Sequence, residues 1–139
     1  MILVVDANIL FSALLKNSLT SELLFEENLK LYTADFIIDE FFKYEQILLK
    51  RTHRTRIDFI MMLHQLKEIV TVIPETEYAS FIKDAKSISP DEKDMIYFAL
   101  ALKLKCGIWS NDKRLKSQNH IKIYSTAEVA NLEKVGHNL

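Results

Sequence analysis

The chain begins MILVVDANIL. Ile2 to Val5 is an apolar run without polar residues at alternate positions, and it breaks off at Asp6. A strand with one wet face alternates, whereas one that is apolar throughout is covered on both faces, the habit of a parallel sheet. Parallel neighbours need long crossovers, which are usually helical. This short run therefore asks for helices on both sides of a sheet.

The rest of the sequence fits that demand. Residues 9–15 and 19–26 read as short helices, 31–33 as a strand, and 36–50 and 55–69 as long helices. Val70 to Ile73 is a β-branched strand closed by Pro74. Helical patterns follow over 77–87 and 90–105, with Gly107 as a helix stop. Strands are expected at 108–110 and 121–124, and a last helix at 126–135. Strands alternating with helices predict a three-layer α/β domain with a mainly parallel sheet. With 139 residues, two glycines, two prolines and no repeat or linker, residues 1–139 form one expected domain.

Composition narrows the class further. Lys and Arg number 18 against 19 Asp and Glu, so contacts with nucleic acid must come from local patches. Cys106 is the single cysteine, expected to be a buried, inert thiol, and it fits a reducing cytoplasm. No apolar run approaches the roughly 20 residues of a membrane span, and the N-terminus lacks the basic start of a signal peptide.

In doubly wound sheets, function gathers outside the carboxyl ends of the strands. Asp6 follows the first strand and Asp112 follows the strand Ile108 to Ser110, so neighbouring strands would bring both acids to one rim. Asp6 and Asn8 each suit helix capping, which accounts for one of them but hardly for both. Glu40 shares a helical stripe with Phe36, Tyr44 and Ile47, whereas Asp39 shares one with Asp35, Lys43 and Gln46, the expected solvated side. A carboxylate carried to an apolar side is costly unless it is paired or binds a metal. Ser89-Pro90-Asp91-Glu92 reads as a capping box with proline at the first helical position. That leaves Asp94, on a face with Tyr97, Phe98 and Ala101, unexplained by helix-start physics. Ser110, Asn111 and Asp112 also suit a polar turn.

Converging carboxylates repel one another, and a divalent cation removes that penalty. Oxygen donors without histidine or cysteine suit Mg²⁺ or Mn²⁺, and such a site suits phosphodiester hydrolysis. His53, His64, His120 and His137 show no ligand spacing and are expected at the surface. No phosphate-binding glycine loop and no nucleophile motif is present.

The segments LVVDANILFSALL, IIDEFFKYEQILLK, SPDEKDMIYFALALKLKCG and IWSNDKRLK, in this order and spacing, resemble the successive motifs of the PIN domain. The likeness is strongest to the VapC-like toxin ribonucleases. It implies an α/β/α sandwich with a five-stranded parallel sheet ordered 3-2-1-4-5. It further implies a metal-dependent endoribonuclease acting on single-stranded RNA. Asp6, Glu40, Asp94 and Asp112 would form the acidic metal site, with Asp91 as an additional acid. Asn8 and Ser110 would hold Asp6 in place; Ser110 stands where many relatives have threonine. An antitoxin partner and a homodimer are implied as well, and Leu23, Leu24 and Phe25 suit either an interface or the core.

RNA contacts are expected beside the acids. Lys113, Arg114 and Lys116 flank Asp112, and the stretch from Lys50 to Arg56 carries Arg51, Arg54 and Arg56. A solvated helix junction explains the second cluster equally well. Two other functions compete. A phospho-acceptor receiver also gathers acids at a sheet rim, but VTVIPE ends in proline and glutamate where an acceptor aspartate is needed. A non-catalytic RNA- or protein-binding module on the same fold would need no intact acid set.

Overall fold

A computed structural model describes residues 1–15 and 18–137, with side chains up to Lys134. The strands are β1 (Ile2–Val5), β2 (Lys30–Ala34), β3 (Val70–Ile73), β4 (Gly107–Trp109) and β5 (Ile123–Tyr124). They form one sheet in the order β3-β2-β1-β4-β5, and every pairing is parallel. Leu3 registers with Leu31 on one side and with Gly107 on the other. The order places β1 at the centre with β4 beside it, as the resemblance to the PIN domain implies.

The unbroken apolar character of β1 has a direct cause. Leu3 and Val5 enter one core with Ile9, Leu10, Phe41 and Trp109. Val4, between them, enters a second core with Phe98, Leu100 and Ile108. Each face of the strand therefore meets its own hydrophobic layer. On the first face lie α1 (Ala7–Leu15), α2 (Leu19–Leu24), α3 (Phe36–Lys43), α4 (Glu45–Thr52) and α5 (Arg56–Ile69). The second face carries α6 (Glu75–Tyr78), α7 (Ile82–Ile88) and α8 (Met95–Leu104), and α9 (Thr126–His137) returns to the first. Among the described residues, no helix is long and apolar enough to cross a membrane.

Several predicted elements are subdivided. The helix expected over 36–50 breaks at Tyr44 (φ −101°, ψ 13°), whose N–H bonds to the carbonyls of Glu40 and Phe42. The break turns Glu45 inward, where Arg56 meets its carboxylate at 3.2 Å. The helix expected over 77–87 becomes α6, a 3₁₀ turn at Ala79–Phe81, and α7. The strand expected at 121–124 shortens to β5.

The helix expected from residue 90 starts at Met95, behind a 3₁₀ turn at Glu92–Asp94. The capping box does not form. Ser89 donates its hydroxyl to the Asp91 carbonyl at 2.6 Å, and Asp91 itself caps the turn by accepting from the Lys93 N–H at 2.9 Å. Gly107 is not the helix stop, because Lys105 caps α8 in the left-handed conformation (φ 55°). Gly107 is required for close approach instead. A Cβ there would stand 2.7 Å from the Tyr124 ring and 2.8 Å from the Lys122 carbonyl.

Cys106 is half-buried rather than buried, and its desolvation pushes the thiol up to about 11, so it stays protonated and unreactive. His53, His64 and His120 are exposed, and the side chain of His137 lies outside those described. Leu23 and Leu24 belong to the core, while Phe25 is exposed.

Candidate active site

The carboxyl end of β1 delivers Asp6 into the first turn of α1. Its Oδ1 accepts the Ile9 N–H at 3.0 Å, so Asp6 does cap the helix. The same carboxylate also bonds to the Ser110 hydroxyl at the end of β4. Capping and site membership thus coexist in one residue. Ser110 is buried, and its oxygen accepts the Asp112 N–H at 3.1 Å, which ties the loop after β4 to the loop after β1. Asn8 contributes only its backbone N–H to Asp6, and its exposed side chain faces an adjoining cleft.

The third segment is the start of α8. Tyr97, buried on the helix, accepts the Ala7 N–H at 2.9 Å, joining residues ninety apart in sequence. This bond brings the turn of Asp6 and the helix of Asp94 together. The Tyr97 phenol is held well above its usual range by burial, and then by the charges of Asp6, Asp94 and Glu40. It remains neutral, a fixed polar hinge among acids.

Burial and neighbouring charge act together on the acids of the rim. Asp94 is pushed up to about 6, first by burial and then by Asp91, Asp6 and Asp112, with Arg114 opposing. Asp6 is raised by burial, against its hydrogen bonds, with Asp112 adding to the rise. Asp112 moves the other way, held below the carboxylate range by hydrogen bonds from Arg114. The Arg114 side chain donates to both Asp112 oxygens, at 2.8 Å from Nη2 and 3.1 Å from Nε. The same Nη2 lies 3.5 Å from Asp91. Arg114 is thus the cation of the rim as it stands.

The structure therefore brings Asp91, Asp6 and Asp112 close enough for their charges to act on Asp94. Glu40 approaches from α3 across the cleft, and its charge is felt at Tyr97. All donors are hard oxygens, and their mutual repulsion is the kind a divalent cation relieves. The residues fit Mg²⁺ or Mn²⁺ in donor type and charge. Among the described residues, no three acids, histidines or cysteines close round one point as placed. Asp112 is meanwhile turned to Arg114.

The basic residues divide sharply. Arg51 lines the cleft. Arg54 bonds to the Leu14 carbonyl at 2.9 Å, and Arg56 is taken by Glu45, so both serve the junction of α4 and α5. Lys116 pairs with Glu128, whose acid is lowered to about 2 chiefly by that bond. Lys113 is exposed.

Two cleft cations, Lys43 and Lys93, escaped the sequence reading. Lys43 was expected on the solvated stripe of Asp39, yet it lies one helical turn from Glu40, and that spacing was the available signal. Tyr97 was missed as a polar group because its neighbours are apolar. Asn111, expected to be a simple turn former, accepts the Thr126 N–H at 2.8 Å and donates to its hydroxyl at 3.0 Å. It pins the loop carrying Asp112 to the start of α9.

The family model of the PIN domain matches residues 4–132. No curated protein matches the chain.

Proposed function

The chain belongs to the PIN domain family, a nuclease fold, and from that premise we propose that it is a metal-dependent endoribonuclease working at the rim of Asp6, Asp94 and Asp112. The observation that carries this reading is the Asp94 carboxyl. Burial first, and then the charges of Asp91 on its own turn, Asp6 after β1 and Asp112 after β4, push it up to about 6. Structural acids at a protein surface are ordinarily spaced to avoid such a cost, and perturbed groups in a cleft mark functional sites.

When bound by these carboxylates, with Glu40 and Asp91 at the margin, Mg²⁺ or Mn²⁺ supplies an acidified water and neutralises charge at the phosphate. The side chains do the positioning. Ser110 orients Asp6 and supports the Asp112 backbone. Tyr97 holds α8 and the Asp6 turn at a constant separation. In the reaction, water oxygen forms a bond to phosphorus, one P–O ester bond breaks, and the leaving oxygen takes up a proton. Arg114 and Lys113, beside Asp112, suit the non-bridging oxygens of the phosphate.

The finer reading is a VapC-like toxin that cuts single-stranded RNA in the cytoplasm and is restrained by an antitoxin partner. The motif likeness supports it. Self-association as a homodimer is supported by Ile57 and Met61, 73% and 59% exposed one helical turn apart on α5.

The test is incubation of the purified protein with a mixed single-stranded RNA pool in Mn²⁺, Mg²⁺ or EDTA, beside Asp94→Asn. Cleavage that needs metal and disappears in the variant is expected. Tight Mn²⁺ binding with no cleavage of any RNA would instead favour the non-catalytic binding module.

A further inference from the structure

The acid rim opens into a cleft of about 830 Å³ between α1, the α3–α4 pair and the start of α8. Its lining carries both signs of charge. Asp6, Glu40 and Asp94 line it together with Lys43, Arg51 and Lys93. Its apolar wall is not core: Tyr44 is 38% exposed and Ile47 is 52% exposed. Both stand on the stripe that begins at Phe36 and passes through Glu40.

Tyr44 is presented in a particular way. It occupies the break between α3 and α4. The Phe11 ring meets it edge-on, with centroids 6.1 Å apart, and Phe11 is in turn packed on buried Phe41 at 4.8 Å. The Lys43 ammonium lies over one face of the Tyr44 ring, 5.4 Å from its centroid, which leaves the opposite face for a base. A braced, partly exposed aromatic ring with a cation over one face is suited to stacking an unpaired base on the other, with the cation near its phosphate.

We propose that this cleft is a nucleotide subsite: one unpaired base stacks on Tyr44, and the phosphates flanking it meet Lys43 and Arg51. The proposal rests on the nuclease reading for the direction of the strand, which would run from the acid rim into the cleft. Strand selection follows from the same contact. A paired base has both faces covered by its neighbours, so only a single strand can offer a face to Tyr44. The occupant favoured is a polyanion rather than an apolar peptide of a partner protein, because Lys43, Arg51 and Lys93 offset the three acids of the lining and offer phosphates partners that an apolar segment would leave unused.

The experiment is fluorescence anisotropy of a labelled hexanucleotide RNA in EDTA, where no cleavage intervenes, with Mn²⁺ binding and cleavage measured separately. Tyr44→Leu, which keeps apolar volume against Phe11, is expected to weaken RNA binding by roughly 5- to 150-fold, the range for losing one base stack. Tyr44→Phe is expected to bind within about twofold of the parent, since it keeps the ring. Arg51→Gln should weaken binding and lower the salt slope by about one. A duplex of the same sequence should bind more weakly than the single strand.

Unchanged RNA affinity in Tyr44→Leu overturns the subsite, and points to a partner's apolar segment as the occupant. Equal affinity for duplex and single strand overturns it as well. Failure of the nuclease reading looks different: the parent would then bind neither Mn²⁺ nor cut RNA, while the Tyr44 dependence of RNA binding persisted.

Discussion

The two flanks of the acid rim carry the same chemical group in opposite states. On the α8 flank, Asp94 is half-buried, faces three other acids and is pushed up to about 6. On the β4 flank, Asp112 sits near the surface and is held down by Arg114. One flank is short of a cation and the other has one built in. A carboxylate's state is decided by what the fold sets beside it, and a site with one unsatisfied flank is prepared to take up positive charge.

The largest effect that tests this contrast is on chemistry. Asp94→Asn should lower the RNA cleavage rate at saturating Mn²⁺ by at least roughly 10²–10³-fold, the scale of losing one preorganised charge-stabilising group. A rate within tenfold of the parent would move the reacting centre off this flank. Ser110→Ala removes the hydroxyl that joins Asp6 to the Asp112 loop, and should cost about 10–100-fold in metal affinity or activity, read by Mn²⁺ titration and cleavage together.

The next effect is on stability, and its sign separates the flanks. Because Asp94 is raised, the folded state binds its proton more tightly than the unfolded chain does. Its ionisation therefore costs stability as pH rises from about 4 through about 6, and the full cost is present above that. Asp94→Asn should raise the metal-free protein's stability by about 1 kcal/mol at pH 7.5, after discounting for solvent screening, and by nothing at pH 4. Thermal melts at the two values check it. Asp112 is lowered, so its contribution is favourable above the usual carboxylate range and lost as pH falls. Asp112→Asn should give no stability gain at pH 7.5, and a gain equal to that of Asp94→Asn would erase the comparison.

The smallest effect concerns the built-in cation. Arg114 occupies both oxygens of Asp112, so a divalent ion that uses Asp112 must displace it. Arg114→Gln should tighten Mn²⁺ binding by roughly two- to fivefold, as expected for releasing an exposed ion pair. Isothermal titration would read it, and weaker binding would mean that Arg114 assists the ion rather than competing with it.

The sequence was most legible where local pattern and burial agree. The apolar run of β1 required two covered faces, and Val4 lying between Leu3 and Val5 in a different core is the reason. Acids immediately after strands could be found because a parallel sheet always exposes that end. Less legible were features decided by contacts distant in the chain. The break at Tyr44 interrupts an unblemished helical pattern in order to turn Glu45 towards Arg56. The false capping box at Ser89 has the right residues, but Ser89 bonds to a carbonyl instead. Arg54 and Arg56 read as a basic patch, since nothing local says that a carbonyl and a buried acid will take them.

By itself, then, the sequence determined the layer architecture, the burial of the first strand on both faces and which acids follow the strands. These follow from periodicity and from the rule that parallel strands are buried. The tertiary structure alone decided which acids are raised and which lowered, which arginines are free to meet a ligand, and that Tyr97 joins two loops ninety residues apart. Those properties depend on distances between groups far apart along the chain, and on the water excluded between them, and neither is written in any local pattern.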